Sequence, residues 1–129
     1  MRVLLQRIRE LGQVREIHVR VACPPIIAPC FYGIDMPTYS ELFAPKHLCR
    51  CRNDAWRMTP EIEKQMAEDL GADSIRYLPL ESVARAIRID ASHLCRACLI
   101  ADYPTPWGAK MSLSARETEP LTKDEFRVR

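Results

Sequence analysis

Two cysteines stand three positions apart in His93-Leu94-Cys95-Arg96-Ala97-Cys98. At that spacing both thiolates can reach one metal centre, and soft sulfur donors suit zinc and iron alike. The same pair could serve as a redox couple or as two buried thiols. A four-ligand site needs two more donors, and four further cysteines are available: Cys23, Cys30, Cys49 and Cys51. Cys30 lies between Pro29 and Phe31, where a proline-led turn would hold a distant ligand still, although a lone cysteine is more often a small buried hydrophobe. Cys49 and Cys51 could complete a four-cysteine zinc site with Cys95 and Cys98. Against that stands their one-residue gap, shorter than the roughly two- to four-residue gaps usual at zinc. Cys23 reads as a core thiol.

Other chemistry-bearing residues have plainer readings. Lys46, Arg50, Arg52 and Arg57, with Trp56 among them, could contact phosphate or stack on a base. Asp54 interrupts the run, so a solvated loop is the expected role. Asp35, in Tyr32-Gly33-Ile34-Asp35, reads as a turn-forming aspartate rather than a catalytic acid. His18, His47 and His93 have no mutual spacing that makes a triad, so surface or structural roles are expected for each.

Positioning these residues falls to a short series of elements. Val3, Leu4, Ile8 and Leu11 share one helical face, and Gly12 follows as a stop. Ile17, Val19 and Val21 alternate with His18 and Arg20, which is a strand. Pro24, Pro25, Pro29 and Pro37 then force an extended, turning path. Thr38 and Glu41 stand in capping-box relation, predicting a short helix through Phe43. The segment after Pro45 reads as a surface excursion. Thr59-Pro60-Glu61 opens a second helix, with Ile62, Met66 and Leu70 recurring every four residues and Gly71 as its stop. Residues 74–79 read as a strand, and 80–87 as a helix with Leu80, Val83, Ala84 and Ile87 on one face. Residues 1–110 are expected to form one folded unit, and the charged residues 111–129 a loose tail.

The bulk composition fits one globular domain. The chain has 129 residues, 47% hydrophobic and 28% charged. Its 19 basic and 17 acidic residues leave a net charge of +2, so nothing global draws it to nucleic acid or an anionic membrane. Arg2, Arg7, Arg9 and Glu10 interrupt the apolar N-terminus, which excludes a signal-peptide core, and no run approaches the roughly 20 apolar residues of a membrane span. The expected location is therefore cytoplasmic. Thiols stay reduced there, which favours a metal or cluster over disulfides.

Three stretches, "HVRVACPPIIAPCFYGIDMPT", "LGADSIRYLPLES" and "LCRACLIADYPTPWG", resemble in that order the C-terminal part of the amidophosphoribosyltransferase family. The resemblance implies an α/β fold, the C-terminal portion of a doubly wound parallel-sheet phosphoribosyltransferase domain, incomplete at its N-terminal side. It implies a glutamine-dependent enzyme that releases ammonia in one domain. In the other it aminates phosphoribosyl pyrophosphate to phosphoribosylamine with Mg2+, the first step of purine synthesis. It implies a [4Fe-4S] cluster in many members, with Cys30, Cys95 and Cys98 at three ligand positions and a fourth ligand upstream that has no counterpart here. The glutaminase domain, with its N-terminal cysteine, and the acidic-pair loop for phosphoribosyl pyrophosphate are absent from these residues. Catalytic residues and Mg2+ ligands are thus expected in an upstream portion, in the same or a separate chain, and the intact enzyme is expected to be a homo-oligomer. Two rivals remain at this point: a small zinc-binding interaction module using Cys49, Cys51, Cys95 and Cys98, and a non-functional gene relic.

Overall fold

A computed structural model describes residues 1–36, 38–48 and 58–118. Helix α1 (Arg2–Gly12) leads into strand β1 (His18–Val21), and after a long irregular segment helix α2 (Pro60–Leu70) returns the chain to strand β2 (Ser74–Tyr77). β1 and β2 pair in parallel, from His18 opposite Ser74 to Val21 opposite Tyr77. Parallel neighbours cannot be joined by a hairpin, and α2 is the helical part of the crossover they require. Helices α3 (Leu80–Ile87), α4 (Ala97–Ile100) and α5 (Pro106–Thr118) follow. This is a mixed α/β arrangement around a two-stranded parallel sheet. The further strands of a doubly wound sheet are not among the described residues.

Local chemistry accounts for α2. The Thr59 hydroxyl accepts from the Ile62 amide at 3.4 Å, Pro60 starts the helix, and Gly71 ends it at φ 77°. Ala72 N–H reaches back to the Ala67 carbonyl at 2.9 Å, closing a left-handed cap that favours glycine. The face predicted from Ile62, Met66 and Leu70 turns inward. Met66 is wholly buried at the centre of a cluster with Leu5, Ile27, Leu48, Ala67 and Ile75.

α1 departs from its predicted orientation. Leu5 is buried, whereas Val3, Leu4, Ile8 and Leu11 are exposed, Leu11 at 84%. The docked stripe is Arg2, Leu5 and Arg9, spaced three and four residues apart on one side of the helix. Arg2 pairs with Asp69, and Arg9 pairs with Asp73 at 2.8 Å and donates to the Gly71 carbonyl at 3.3 Å. Asp73 also accepts from the Ile17 amide at 2.7 Å, so one carboxylate pins α1 and the start of β1 to the α2–β2 corner. That backbone donor, then Arg9, holds the Asp73 carboxyl below its usual range.

The helix expected through Phe43 is also absent. Thr38 Oγ1 donates to Glu41 Oε2 at 2.8 Å, so the two side chains satisfy each other instead of the backbone amides of a first turn. The chain turns at Tyr39–Leu42 and makes only a 3-10 turn at Ala44–Lys46. At the other end, α5 runs through the expected boundary between residues 110 and 111, as far as Thr118. Among the described residues, no helix is long and apolar enough to cross a membrane.

A second cluster, Ala28, Tyr39 and Leu42, gathers Ile26, Met36, Tyr103 and Ala115. Neighbours Ile27 and Ala28 send their side chains into different clusters, as successive residues of an extended segment must. Ala101 packs against both clusters. The proline-rich segment is therefore the seam of the fold, and it carries Cys30.

Candidate metal centre

The seam is bolted to α4 through the backbone of a cysteine. The amides of Ile27 and Ala28 both donate to the Cys98 carbonyl, at 2.9 and 3.1 Å. A third bond runs from the Tyr103 hydroxyl to the Pro29 carbonyl at 2.7 Å. Cys30 comes next, its amide donating to the Met36 carbonyl at 3.0 Å across a turn in which Gly33 takes φ 107°. Ile27 and Ala28, 71 and 70 positions before Cys98 in sequence, are thus tied to it by main-chain bonds, which tolerate substitution better than side-chain contacts. α4 is one turn long and stops at Ala101, which adopts the left-handed region at φ 57°. The methyl at Ala101, which glycine would lack, is the group that packs between the two clusters.

The thiols respond to this placement. Burial pushes the Cys98 thiol up, and the neighbouring sulfurs of Cys30, Cys95 and Cys23 push in the same direction. Cys98 and Cys30 are half-buried, while Cys95 is exposed and opens onto a shallow depression of about 310 Å3 beside His93, Arg96 and Asp102. The sulfurs of Cys30, Cys95 and Cys23 thus lie within electrostatic reach of Cys98. Cys49 and Cys51, and with them the basic run Arg50, Arg52 and Arg57, lie outside the described residues.

Among the described residues, no three His, Cys, Asp or Glu side chains form a group that could hold a metal ion as they stand. A single tetrahedral ion with metal–sulfur bonds of about 2.3 Å would draw its thiolates to roughly 4 Å from one another. A four-iron cubane takes each thiolate on a different iron, and so accepts thiolates spread more widely. Thiolates are the right kind of donor for iron, and the sulfurs of Cys30, Cys95 and Cys23 act on Cys98, but as they stand they do not form a metal-holding group.

Aromatic side chains cluster between the segment after Cys30 and α5. Phe31 and Tyr103 stand 5.3 Å apart between ring centroids, and Tyr32 lies 6.3 Å from both Tyr103 and Trp107. Thr105 caps α5 by accepting from the Gly108 amide at 3.1 Å, and its hydroxyl also bonds Tyr32 at 2.9 Å. A side chain at position 108 would meet the Tyr32 hydroxyl at 1.9 Å, so the helix and the ring can approach only over glycine. Neither α5 nor this wall was anticipated, although Thr105-Pro106 repeats the opening that marked α2 at Thr59-Pro60.

Burial, and then the nearby Tyr39, push the Tyr103 hydroxyl up to about 12 from an ordinary value of 10.0. The folded state therefore favours the neutral phenol. Its contribution to stability is fully present below pH 10 and is lost as pH rises through 12. Tyr103→Phe is expected to lose about 1 kcal/mol at neutral pH, the net worth of the bond to Pro29. The variant is also expected to show a shallower fall in stability than the parent between pH 10 and 12, and urea titrations at pH 8 and 11 read both effects.

The remaining residues behave as the sequence indicated. Asp35 is exposed in the turn after Tyr32. His18 lies between Ser74 at 2.9 Å and Glu16 at 3.0 Å, and His47 packs edge-on against Phe43 at 4.8 Å with Asp69 at 3.4 Å. A separate crevice of about 550 Å3 opens beyond the carboxyl ends of both strands, lined by Pro25, Ile27, Tyr77, Leu80 and the carboxylates Glu63 and Glu81. Open α/β sheets bind ligands at that end, but no described lysine or arginine lines this crevice to receive phosphate.

No family model matches the chain. Among curated proteins it is similar to the amidophosphoribosyltransferase of Methanothermobacter thermautotrophicus, 40% identical over 111 residues that make up 86% of this chain and 20% of that protein. The amidophosphoribosyltransferase of Methanocaldococcus jannaschii is 38% identical over 104 residues, 81% of this chain and 18% of that one. That of Mycobacterium tuberculosis is 38% identical over 126 residues, 98% of this chain and 22% of that one. The chain spans about a fifth of the length of the curated relatives it matches.

Proposed function

From the premise that this chain is a relative of about one fifth of amidophosphoribosyltransferase, we propose that it works as the C-terminal part of such an enzyme. The reaction is glutamine-dependent amination of phosphoribosyl pyrophosphate to phosphoribosylamine, in the cytoplasm. The glutaminase site, the loop for phosphoribosyl pyrophosphate and the Mg2+ ligands come from an upstream portion, in the same or a separate chain, and the intact enzyme is a homo-oligomer.

The role of this part is structural. Cys30, Cys95 and Cys98 would hold a [4Fe-4S] cluster, which when bound supplies iron–thiolate bonds across the seam between the segment at Pro29 and α4. The observation that supports this reading is the pair of amide bonds from Ile27 and Ala28, two and three residues before Cys30, to the Cys98 carbonyl. The direct test exchanges the matching fifth of the Methanothermobacter thermautotrophicus protein for this chain. The chimera is expected to keep glutamine-dependent release of pyrophosphate from phosphoribosyl pyrophosphate, within about tenfold of the parent. A chimera that folds with parental stability yet releases none would contradict the reading.

A further inference from the structure

A helix on the surface of a globular domain turns its apolar stripe to the core and its charges to water. α1 does the reverse. Its docked residues are Arg2, Leu5 and Arg9, of which only Leu5 is apolar, and the two arginines are engaged by Asp69 and Asp73. Met1, Leu4, Ile8 and Leu11 recur at intervals of three, four and three residues, and all four are exposed. That spacing draws a narrow apolar stripe along the helix. At about 100° per residue the stripe lies within roughly a third of a turn of Leu5, on the flank beside the core rather than on the far side. Val14, in the turn toward β1, is exposed as well, and among the described residues β1 is paired only with β2. Contiguous apolar surface of this kind marks a contact.

We propose that the stripe of Leu4, Ile8 and Leu11, with Met1 at its head, is the docking surface for the upstream portion that binds phosphoribosyl pyrophosphate. The inference rests on the enzyme reading above and deepens it by naming where the two portions meet. About four fifths of the length of the Methanothermobacter thermautotrophicus relative lies outside the part this chain matches, which is ample to cover one helix flank. α1 is the first element of the chain, so an upstream portion arrives at the same end of the helix where Met1 and Leu4 are more than half exposed. Covering this flank adds apolar contacts beside Leu5 and leaves the pairs to Asp69 and Asp73 in place.

The test uses Leu4→Glu/Leu11→Lys, an acid in the first turn and a base in the last, which the ends of an exposed helix accept. In this chain alone the urea midpoint should stay at the parental value. In the chimera with the Methanothermobacter thermautotrophicus protein, pyrophosphate release should fall by about tenfold or more, because unpaired charges are costly in an apolar contact. Hydroxyl-radical labelling of the unsubstituted proteins reads the same surface directly. Leu4, Ile8 and Leu11 should be labelled in this chain alone and lose that labelling in the chimera. Parental release by the substituted chimera, or labelling that the chimera leaves unchanged, overturns the proposal. So does labelling that this chain alone loses on raising its concentration, which gives the stripe to a second copy, or on adding phosphatidylglycerol vesicles, which gives it to a membrane. A folded, unsubstituted chimera that shields the three residues yet releases no pyrophosphate supports the surface and contradicts the enzyme reading.

Discussion

Met66→Ala is expected to destabilise the fold by about 3 kcal/mol, read as a lowered urea midpoint with an unchanged slope. Met66 is wholly buried and touches the cluster formed by Leu5 of α1, Ile27 of the seam and Ile75 of β2. Truncation therefore opens a cavity where three separate elements meet, and none can close it without releasing its own anchors. A domain of this size has only about 5–15 kcal/mol in all, so the variant should be partly unfolded at 37 °C. Leu11→Ala is the matched control. Leu11 is 84% exposed, and its truncation is expected to move stability by about 0.5 kcal/mol or less. Equal losses at the two positions would mean that α1 packs by the apolar face predicted from its periodicity and not by Arg2, Leu5 and Arg9.

The second large effect is chemical. Cys98→Ser should remove most of the iron and sulfide from anaerobically prepared protein, a fall of about tenfold or more. The hydroxyl is a harder and far less acidic donor than the thiol it replaces. The carbonyl of residue 98 is untouched by the change, so the bonds from Ile27 and Ala28 should survive and the apoprotein should keep its fold. Loss of the cluster with an unchanged far-ultraviolet spectrum separates ligation from packing. A variant that keeps parental iron and sulfide would remove Cys98 from the ligand set.

What could be read from the sequence was mostly local. The α2 helix announced both its ends, Thr59-Pro60 at one and Gly71 at the other, because capping is chemistry between residues a few positions apart. The existence of β1 followed from alternation at Ile17, Val19 and Val21, and residues 74–79 read as the second strand, while their parallel pairing was implied only by the family resemblance. Periodicity located the apolar face of α1 but could not say whether a neighbour covers it, and here the charged partners Asp69 and Asp73 decide how the helix docks. Thr38 and Glu41 had the right spacing for a cap and used it on each other. The site was legible only in part. Cys95 and Cys98 drew attention through their spacing, and Cys30 through family resemblance. What ties the segment ahead of Cys30 to Cys98 is a pair of backbone hydrogen bonds spanning 71 and 70 residues, which no side-chain pattern encodes.

On the proposed reading, the docking of the proline-rich segment onto α4 builds a ligand set for iron. Diffraction from crystals of the anaerobically prepared chain, collected on both sides of the iron absorption edge, tests it most directly. The expected result is a compact group of iron atoms bonded to the sulfurs of Cys30, Cys95 and Cys98. Iron located elsewhere, or crystals without iron in which Cys30 lies apart from Cys98, would contradict it.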